Sequence, residues 1–462
     1  MKKYINVKIW IVTFVLTGAI SSCDFGDANI NPATPETVAM SALLPNAEVA
    51  LSWAIGGEFV RMSGLLTQQF EGINAQQQDN YQYLIREADT DGVWQRTYFN
   101  TLSSANQIIK QAIEADAPHY EGVAQVMMAY GISILTDAFG DVPYTDAFGA
   151  IDGNFAPEYD TQQELYETIL PALLTDAVNN LSAATSLGGS PGTDDLIFGG
   201  NLNNWITAAN SLRVRMALQA AKQNGNASYT DALAGMASAI AGNGGDFEMT
   251  FGGAGNEVNP QFQFSQDRAG NIRMDANFAA RFIASDSRQP AFINDDYELG
   301  ANNAGYYSVS ASPVVLMSYT ELKFIEAEAE LMQTASDVAA SKAALDAAVN
   351  ASFEKITGAS TPVAYQADLD ARWTAAATNA DRLSVLIDEK FIGCYGQSIV
   401  AWNDYRRTGY PVLTANPLGT NAFNANGQIP RRLPYPQEER LLNLSNLPIA
   451  TPNLQTRFWW DQ

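Results

Sequence analysis

Aromatic and amide side chains crowd one stretch of this chain. Phe70, Tyr81, Tyr83 and Trp94 lie among Gln68, Gln69, Asn74, Gln76, Gln77, Gln78 and Asn80. Rings of this kind stack on the apolar faces of sugars while amides bond hydroxyls, so the mixture suits a polar, uncharged ligand. Tyr306 and Tyr307 follow the turn-forming run Asn302-Asn303-Ala304-Gly305, which would present their rings outward. The expected ligand site is therefore the 70–94 segment meeting an insertion over 260–307. Its candidate residues are Phe70, Gln78, Asn80, Tyr81, Tyr83, Trp94, Tyr306 and Tyr307. Trp94 also fits a helical period, which makes it a core candidate as well.

Other chemistry is narrowly bounded. His119 is the single histidine, so a multi-histidine metal site is excluded and only one residue is available for a Ser/His or Cys/His dyad. Cys23 and Cys394 are the two cysteines, too few for a disulfide scaffold or a thiolate zinc site. Cys394 sits in an apolar helix face without a basic neighbour, where a thiol is inert. No metal and no cofactor are expected. A two-carboxylate glycosidase needs no histidine, yet no local pattern isolates such a pair. Asp137 and Asp141 flank Gly140 in a helix-ending turn, and the turn explains them better than paired acid–base work. The chain carries 26 Lys+Arg against 50 Asp+Glu, a formal charge of −24, and a surface so acidic is repelled by nucleic acid.

The N-terminus reads as an address. Lys2, Lys3 and Lys8 precede an apolar run from Ile9 to Ile20, too short to span a bilayer but suited to a signal peptide. Ile20-Ser21-Ser22-Cys23 then resembles a bacterial lipobox, whose Cys is acylated. Residues 1–22 are expected to be a lipoprotein signal peptide, 23–36 a tether after acylated Cys23, and 37–462 a single α-rich domain. Losing the three lysines takes the charge from −24 to −27.

Helical periodicity runs through most of that domain. Trp94, Tyr98, Leu102, Ala105 and Ile109 recur at helical steps, as do Val123, Val126, Met127, Tyr130 and Ile134. Thr161-Gln162-Gln163-Glu164 reads as a capping box, and Pro171 is expected to kink the helix it opens. Short joints pair 94–115 with 120–138 and 318–334 with 337–354, in the manner of tetratricopeptide-type helix pairs with irregular spacing. Arg213 and Arg215 are expected to pair with buried carboxylates. Gly, Asn and Phe over 240–315 predict loops and short strands, the expected ligand-region insertion. Proline-rich 429–436 predicts an extended strap.

Six pieces then appear in order: the lipobox; Thr136-Asp137 with Gly140-Asp141-Val142-Pro143-Tyr144; Asn210-Ser211-Leu212-Arg213; Tyr319-Thr320-Glu321-Leu322-Lys323-Phe324; Trp402-Asn403-Asp404-Tyr405-Arg406-Arg407-Thr408-Gly409; and Arg431-Arg432-Leu433-Pro434-Tyr435-Pro436. Together they resemble the SusD/RagB family of outer-membrane lipoproteins, in its second SusD-like branch. The resemblance implies a mainly α fold of tetratricopeptide-like stacked helix pairs, with a loop-rich insertion and C-terminal region. It implies a nutrient-binding protein, lipid-anchored and surface-exposed on the outer membrane, that captures an oligosaccharide and delivers it to a SusC-like TonB-dependent transporter. It does not imply an enzyme. Peptide capture, or a structural or adhesive surface role, is the alternative. The stacked helices over 37–220 are the expected transporter-facing side.

Overall fold

Pro118 opens and Gly140 closes a helix of 22 residues, Pro118–Phe139, whose side chains are almost all buried. Proline fits a first turn because its missing N–H would find no partner there, and Gly140 takes φ of +91° to turn the chain away. This helix is long and apolar enough to cross a membrane, yet its apolar window is wholly enclosed by protein, as in a core helix. The computed structural model that shows this describes residues 38–150, 153–292, 309–448 and 453–462. Cys23, Tyr306 and Tyr307 lie outside those residues.

Met40–Gln462 form one compact unit. In chain order its main helices are α1 (Met40–Trp53), α2 (Val60–Leu66), α3 (Ala75–Tyr81), α4 (Ser103–Ala115), α5 (Pro118–Phe139), α6 (Leu170–Leu181) and α7 (Leu202–Gln219). There follow α8 (Asn226–Gly235), α9 (Tyr319–Met332), α10 (Val338–Thr357), α11 (Val363–Ala375), α12 (Asn379–Gly393) and α13 (Ser398–Thr408). Packing runs as a relay: α1 on α4, α4 on α5, α5 on α6, and so on through α7, α8 and α9 to α10. The expected helix pairs are α4 with α5, joined through left-handed Asp116, and α9 with α10. At the α5–α6 crossing a Cβ on Gly122 would lie 2.9 Å from the carbonyl of Ala177, so glycine sets how closely these helices approach.

Several local expectations take concrete form. Thr161 caps its helix by accepting a hydrogen bond from the Glu164 amide. The irregularity expected at Pro171 is a π-helical turn, Leu165–Ile169, immediately before it, which absorbs the missing donor without ending the helix. Arg215 forms a two-pronged pair with Glu321, both contacts 2.7 Å, tying α7 to α9. Arg213 departs from expectation. It faces outward from α7 and donates to Thr175 and Asn210 instead of a carboxylate. The reason is helical geometry, since residues two apart point to different faces.

The 240–315 insertion is drawn into the body by two short antiparallel ladders. Strand β1 (Phe70–Gly72) pairs with β3 (Ile272–Met274), and β2 (Phe247–Met249) pairs with β4 (Val314–Met317). The C-terminal strap lies across the end of α5, where the Leu433 amide donates to the Ala138 carbonyl at 2.8 Å. Arg431 reaches Asp461, its Nε 2.6 Å from the carboxylate.

Glu48 on α1 is fully buried and accepts from the Leu196 amide at 2.7 Å. Burial, reinforced by nearby Asp195, pushes its carboxyl up to about 10, so it holds its proton at neutral pH. A folded-state value above the unfolded one makes its contribution complete below about 4.5 and progressively lost as pH rises toward about 10. Glu48→Gln is expected to flatten that dependence. Melting temperatures of the two proteins should converge near pH 4 and separate by pH 8, with the variant higher. Parallel melting curves across that range would contradict the assignment.

Candidate ligand-binding site

The 68–83 segment is unusual in its backbone. Gln68, Ala75 and Tyr83 adopt φ of +59°, +49° and +60°, a left-handed conformation that non-glycine residues rarely take. Each such residue costs about 1–2 kcal/mol, and they persist only where surroundings over-determine them. The β1–β3 ladder supplies that constraint. The Asp275 amide also donates to the Gln69 carbonyl at 3.1 Å, and Tyr81 donates to the Asp275 carboxylate at 2.6 Å. The segments on either side of the expected site therefore do meet.

Where they meet is a small polar cavity of about 210 Å³, lined by Glu58, Arg61, Gln76, Gln77, Asn80, Asp89 and Phe264 among others. One of its walls is π-helical. Glu58 belongs to the turn Ala54–Phe59, and it pairs at 3.0 Å with Arg96, which opens the π-helical turn Arg96–Leu102. Such widened turns re-aim side chains and recur at functional sites. Glycine at position 92 leaves room for the Glu58 carboxylate, which a Cβ there would approach to 3.0 Å.

Hydrogen-bonding capacity is left over inside. Asn80 is 3% exposed, and its Oδ1 has no partner among the described residues. Glu58 Oε2 is likewise buried and unpartnered. The Arg61 guanidinium lies 4.1 Å from the centre of the Phe264 ring and has no ion-pair partner among the described residues. Burial pushes it down to about 10, partly offset by Glu58. Buried polar groups without protein partners are costly, so donors and acceptors converging on one cavity mark a place for a polar ligand. Beyond the same short helix, Pro260–Asp267, lies a second hollow of about 360 Å³ with half-buried Trp53 and Phe262 in its walls.

The scaffold around this site has known counterparts. A family model described as "Starch-binding associating with outer membrane" matches residues 32–436. The chain belongs to the SusD-like family. A SusD/RagB family protein from Bacteroides thetaiotaomicron superposes with a TM-score of 0.75 at 21% identity, over 92% of this chain and 99% of that one. A SusD homolog from Bacteroides uniformis gives 0.75 at 22%, over 91% and 99%. A chitin-binding SusD homolog from Flavobacterium johnsoniae gives 0.72 at 21%, over 92% and 98%. None of the curated proteins matches.

In this SusD-like chain the candidate residues divide. Asn80 lines the cavity beside Gln76 and Gln77. Gln78 is exposed on α3 but outside the lining. Three proposed stacking rings are corrected to core residues, because each is enclosed on all faces. Phe70 packs edge-on to Tyr395, and Tyr83 is 1% exposed with its hydroxyl accepting from the Asn416 amide. Trp94 is ringed by Tyr98, Phe139, Tyr159 and Tyr435. Gln68 and Gln69 are also buried, donating to the carbonyls of Thr414 and Phe391. Tyr81 is half-buried and spends its hydroxyl on Asp275.

Sequence reasoning missed Glu58, Arg61, Phe264, Phe262 and Trp53. Glu58 and Arg96 stand 38 positions apart, and no local pattern links them. Phe262 and Phe264 had a readable signal. Asn259 caps the helix with its side chain, and Pro260 occupies the first turn, so Asn-Pro announces a helix where a loop was expected. One outcome tests the reassignment of Tyr81. Tyr81→Phe removes a hydrogen bond to a charged acceptor and should lower stability by about 1.5–3 kcal/mol in denaturant titration. An unchanged midpoint would return Tyr81 to the free surface.

Proposed function

We propose that this SusD-like protein captures an oligosaccharide at the cell surface and delivers it to a SusC-like TonB-dependent transporter. The observation that carries the reading is the polar cavity where Asn80 Oδ1, Glu58 Oε2 and Arg61 converge beside the Phe264 ring. Sugar hydroxyls both donate and accept, and they fit such a mixed set, while half-buried rings suit the apolar sugar faces. The family description names starch, and one structural relative is chitin-binding, so neutral glucan and chitin oligomers are the first ligands to try. We read the chain as a binder without turnover. Glu58 is committed to Arg96, and Asp89 accepts from Gln76 at 2.8 Å, which leaves neither as a free acid–base group. Peptide capture is the second reading, favoured by Arg61, whose guanidinium has no ion-pair partner among the described residues and suits a carboxylate.

Calorimetric titration with maltooligosaccharides and chitooligosaccharides tests the first reading. Asn80→Leu removes the buried acceptor and is expected to weaken binding about tenfold, equivalent to about 1.4 kcal/mol. Its melting temperature should hold, since the lost oxygen has no partner among the described residues. Binding of neither sugar series, with uptake of peptides instead, would replace this reading by the second.

Delivery requires a place at the membrane. Our reading assigns that to acyl chains on Cys23, with the protein exposed on the outer membrane. One acyl chain anchors only marginally, so firm retention needs several on the same residue. Cys23→Ala is expected to lose metabolic lipid label and move to the soluble fraction. Retention of the variant in membranes would remove the anchor from this account.

A further inference from the structure

Four large apolar side chains stand in solvent at one place on the described surface. Phe155 is 76% exposed, Leu441 69%, Leu442 75% and Leu444 53%. They come from two segments distant in sequence that the fold fastens together. Asn443 donates to the Pro157 carbonyl at 2.9 Å, and Asn446 to the Ala156 carbonyl at 2.7 Å. Tyr159 donates to Glu439 at 2.5 Å. Single exposed leucines are ordinary, but a cluster held by side-chain hydrogen bonds from both strands of its base is a built surface.

The patch adjoins the candidate ligand cavity. Leu441 and Leu442 end the short helix Gln437–Leu442, whose Gln437 amide donates to Asp91 at 2.9 Å and whose Arg440 pairs with Glu87. Glu87 and Asp89 belong to one turn, and Ala88, Asp89 and Gly92 line the cavity. Anything seated on the patch would therefore stand beside the cavity.

Charge selects among occupants. Residues 141–160 contain no Lys or Arg, and Glu158 and Glu438 are exposed around the patch. Arg440 is spent on Glu87. An anionic lipid surface is repelled by such a rim, and a second copy would set the same acids against each other. A protein presenting an apolar socket ringed by Lys and Arg is matched in both respects.

We propose that Phe155, Leu441, Leu442 and Leu444 form a docking surface for a basic-rimmed protein partner, seated so that it covers the ligand cavity. On the function proposed above that partner is the transporter, and the inference rests on that reading. It places contact at the margin of the helical half, where the loop after α5 meets the C-terminal strap.

The test uses the full chain co-expressed with its transporter and recovered from detergent-solubilised outer membrane. The wild-type protein should co-purify. L441E/L442E should reduce recovery about tenfold or more, because docking would bury unpaired carboxylates. Its melting temperature and sugar affinity should match the wild type, since both leucines are exposed. E158K/E438K should weaken recovery as well. Equal recovery of wild type and L441E/L442E overturns the docking surface while leaving the transporter reading intact. Wild-type protein absent from the transporter complex overturns that reading and the surface with it. Binding to phosphatidylglycerol vesicles, or a dimer in sedimentation, that L441E/L442E abolishes would also overturn the proposal, by assigning the patch to lipid or to a second copy.

Discussion

A helix that ends inside a protein leaves four carbonyls that water cannot reach, and each must be answered by some other group. α5 ends this way. The Thr136 carbonyl accepts from the Gly140 amide and from Gln162 Nε2 at 2.8 Å. The Asp137 carbonyl accepts from Arg406 at 2.6 Å, the Ala138 carbonyl from the Leu433 amide, and the Phe139 carbonyl from Arg432. Five donors from four places in the chain thus converge on one helix terminus. Three of the sequence pieces that carry the family resemblance are there for this purpose: the Gly-Asp-Val-Pro turn, the Trp402–Gly409 helix end and the Arg-Arg-Leu-Pro-Tyr-Pro strap.

Arg406 shows why arginine is required at the centre of this knot. Its guanidinium is buried against Trp402 at 3.7 Å and Trp460 at 4.7 Å, while its edge donates to Asp137, Asn403 and the Arg431 carbonyl. Only a flat cation with several fixed donors can stack on rings and bond outward in its plane at once. Desolvation pushes it down to about 9, against the pull of Asp137 and Asp461. Asp137 has its own side chain held by Tyr166 and Asn403. Arg406, Arg431 and Arg432 are consumed by this internal wiring.

Legibility in the sequence follows from whether a signal is local. Gly140 with Pro143, the Thr161 capping box and the α4–α5 joint are all written within a few residues, and the helices appear where the periodicity puts them. Trp94 carried its core assignment in its helical spacing, though its aromatic and amide neighbours pointed to a ligand. The site was only half readable for the opposite reason. Asn80, Gln76 and Gln77 belong to one amide-rich run. Glu58, Arg61 and Phe264 reach the cavity from other elements, through π-helical turns and a ladder that no window of sequence displays. The β1–β3 ladder ties the chain just before α3 to the chain just after the helix that carries Phe264, and such pairing is set by the whole fold.

That division has a physical consequence for how this protein can vary. The α5 terminus tolerates little, because removing one donor leaves a buried carbonyl or a buried charge unanswered. The cavity sits on elements held by other means: a short ladder, an Asn-capped helix of eight residues, and two widened turns bridged by Glu58 and Arg96. None of these answers a carbonyl of the knot. Side chains lining the cavity can change with a ligand while the knot stays fixed, so stability and recognition are carried by separate hydrogen-bond sets. A larger hollow, about 730 Å³, opens among α6, α7 and α8, whereas the candidate ligand cavity lies where the helical regularity breaks, at the widened turn that carries Glu58.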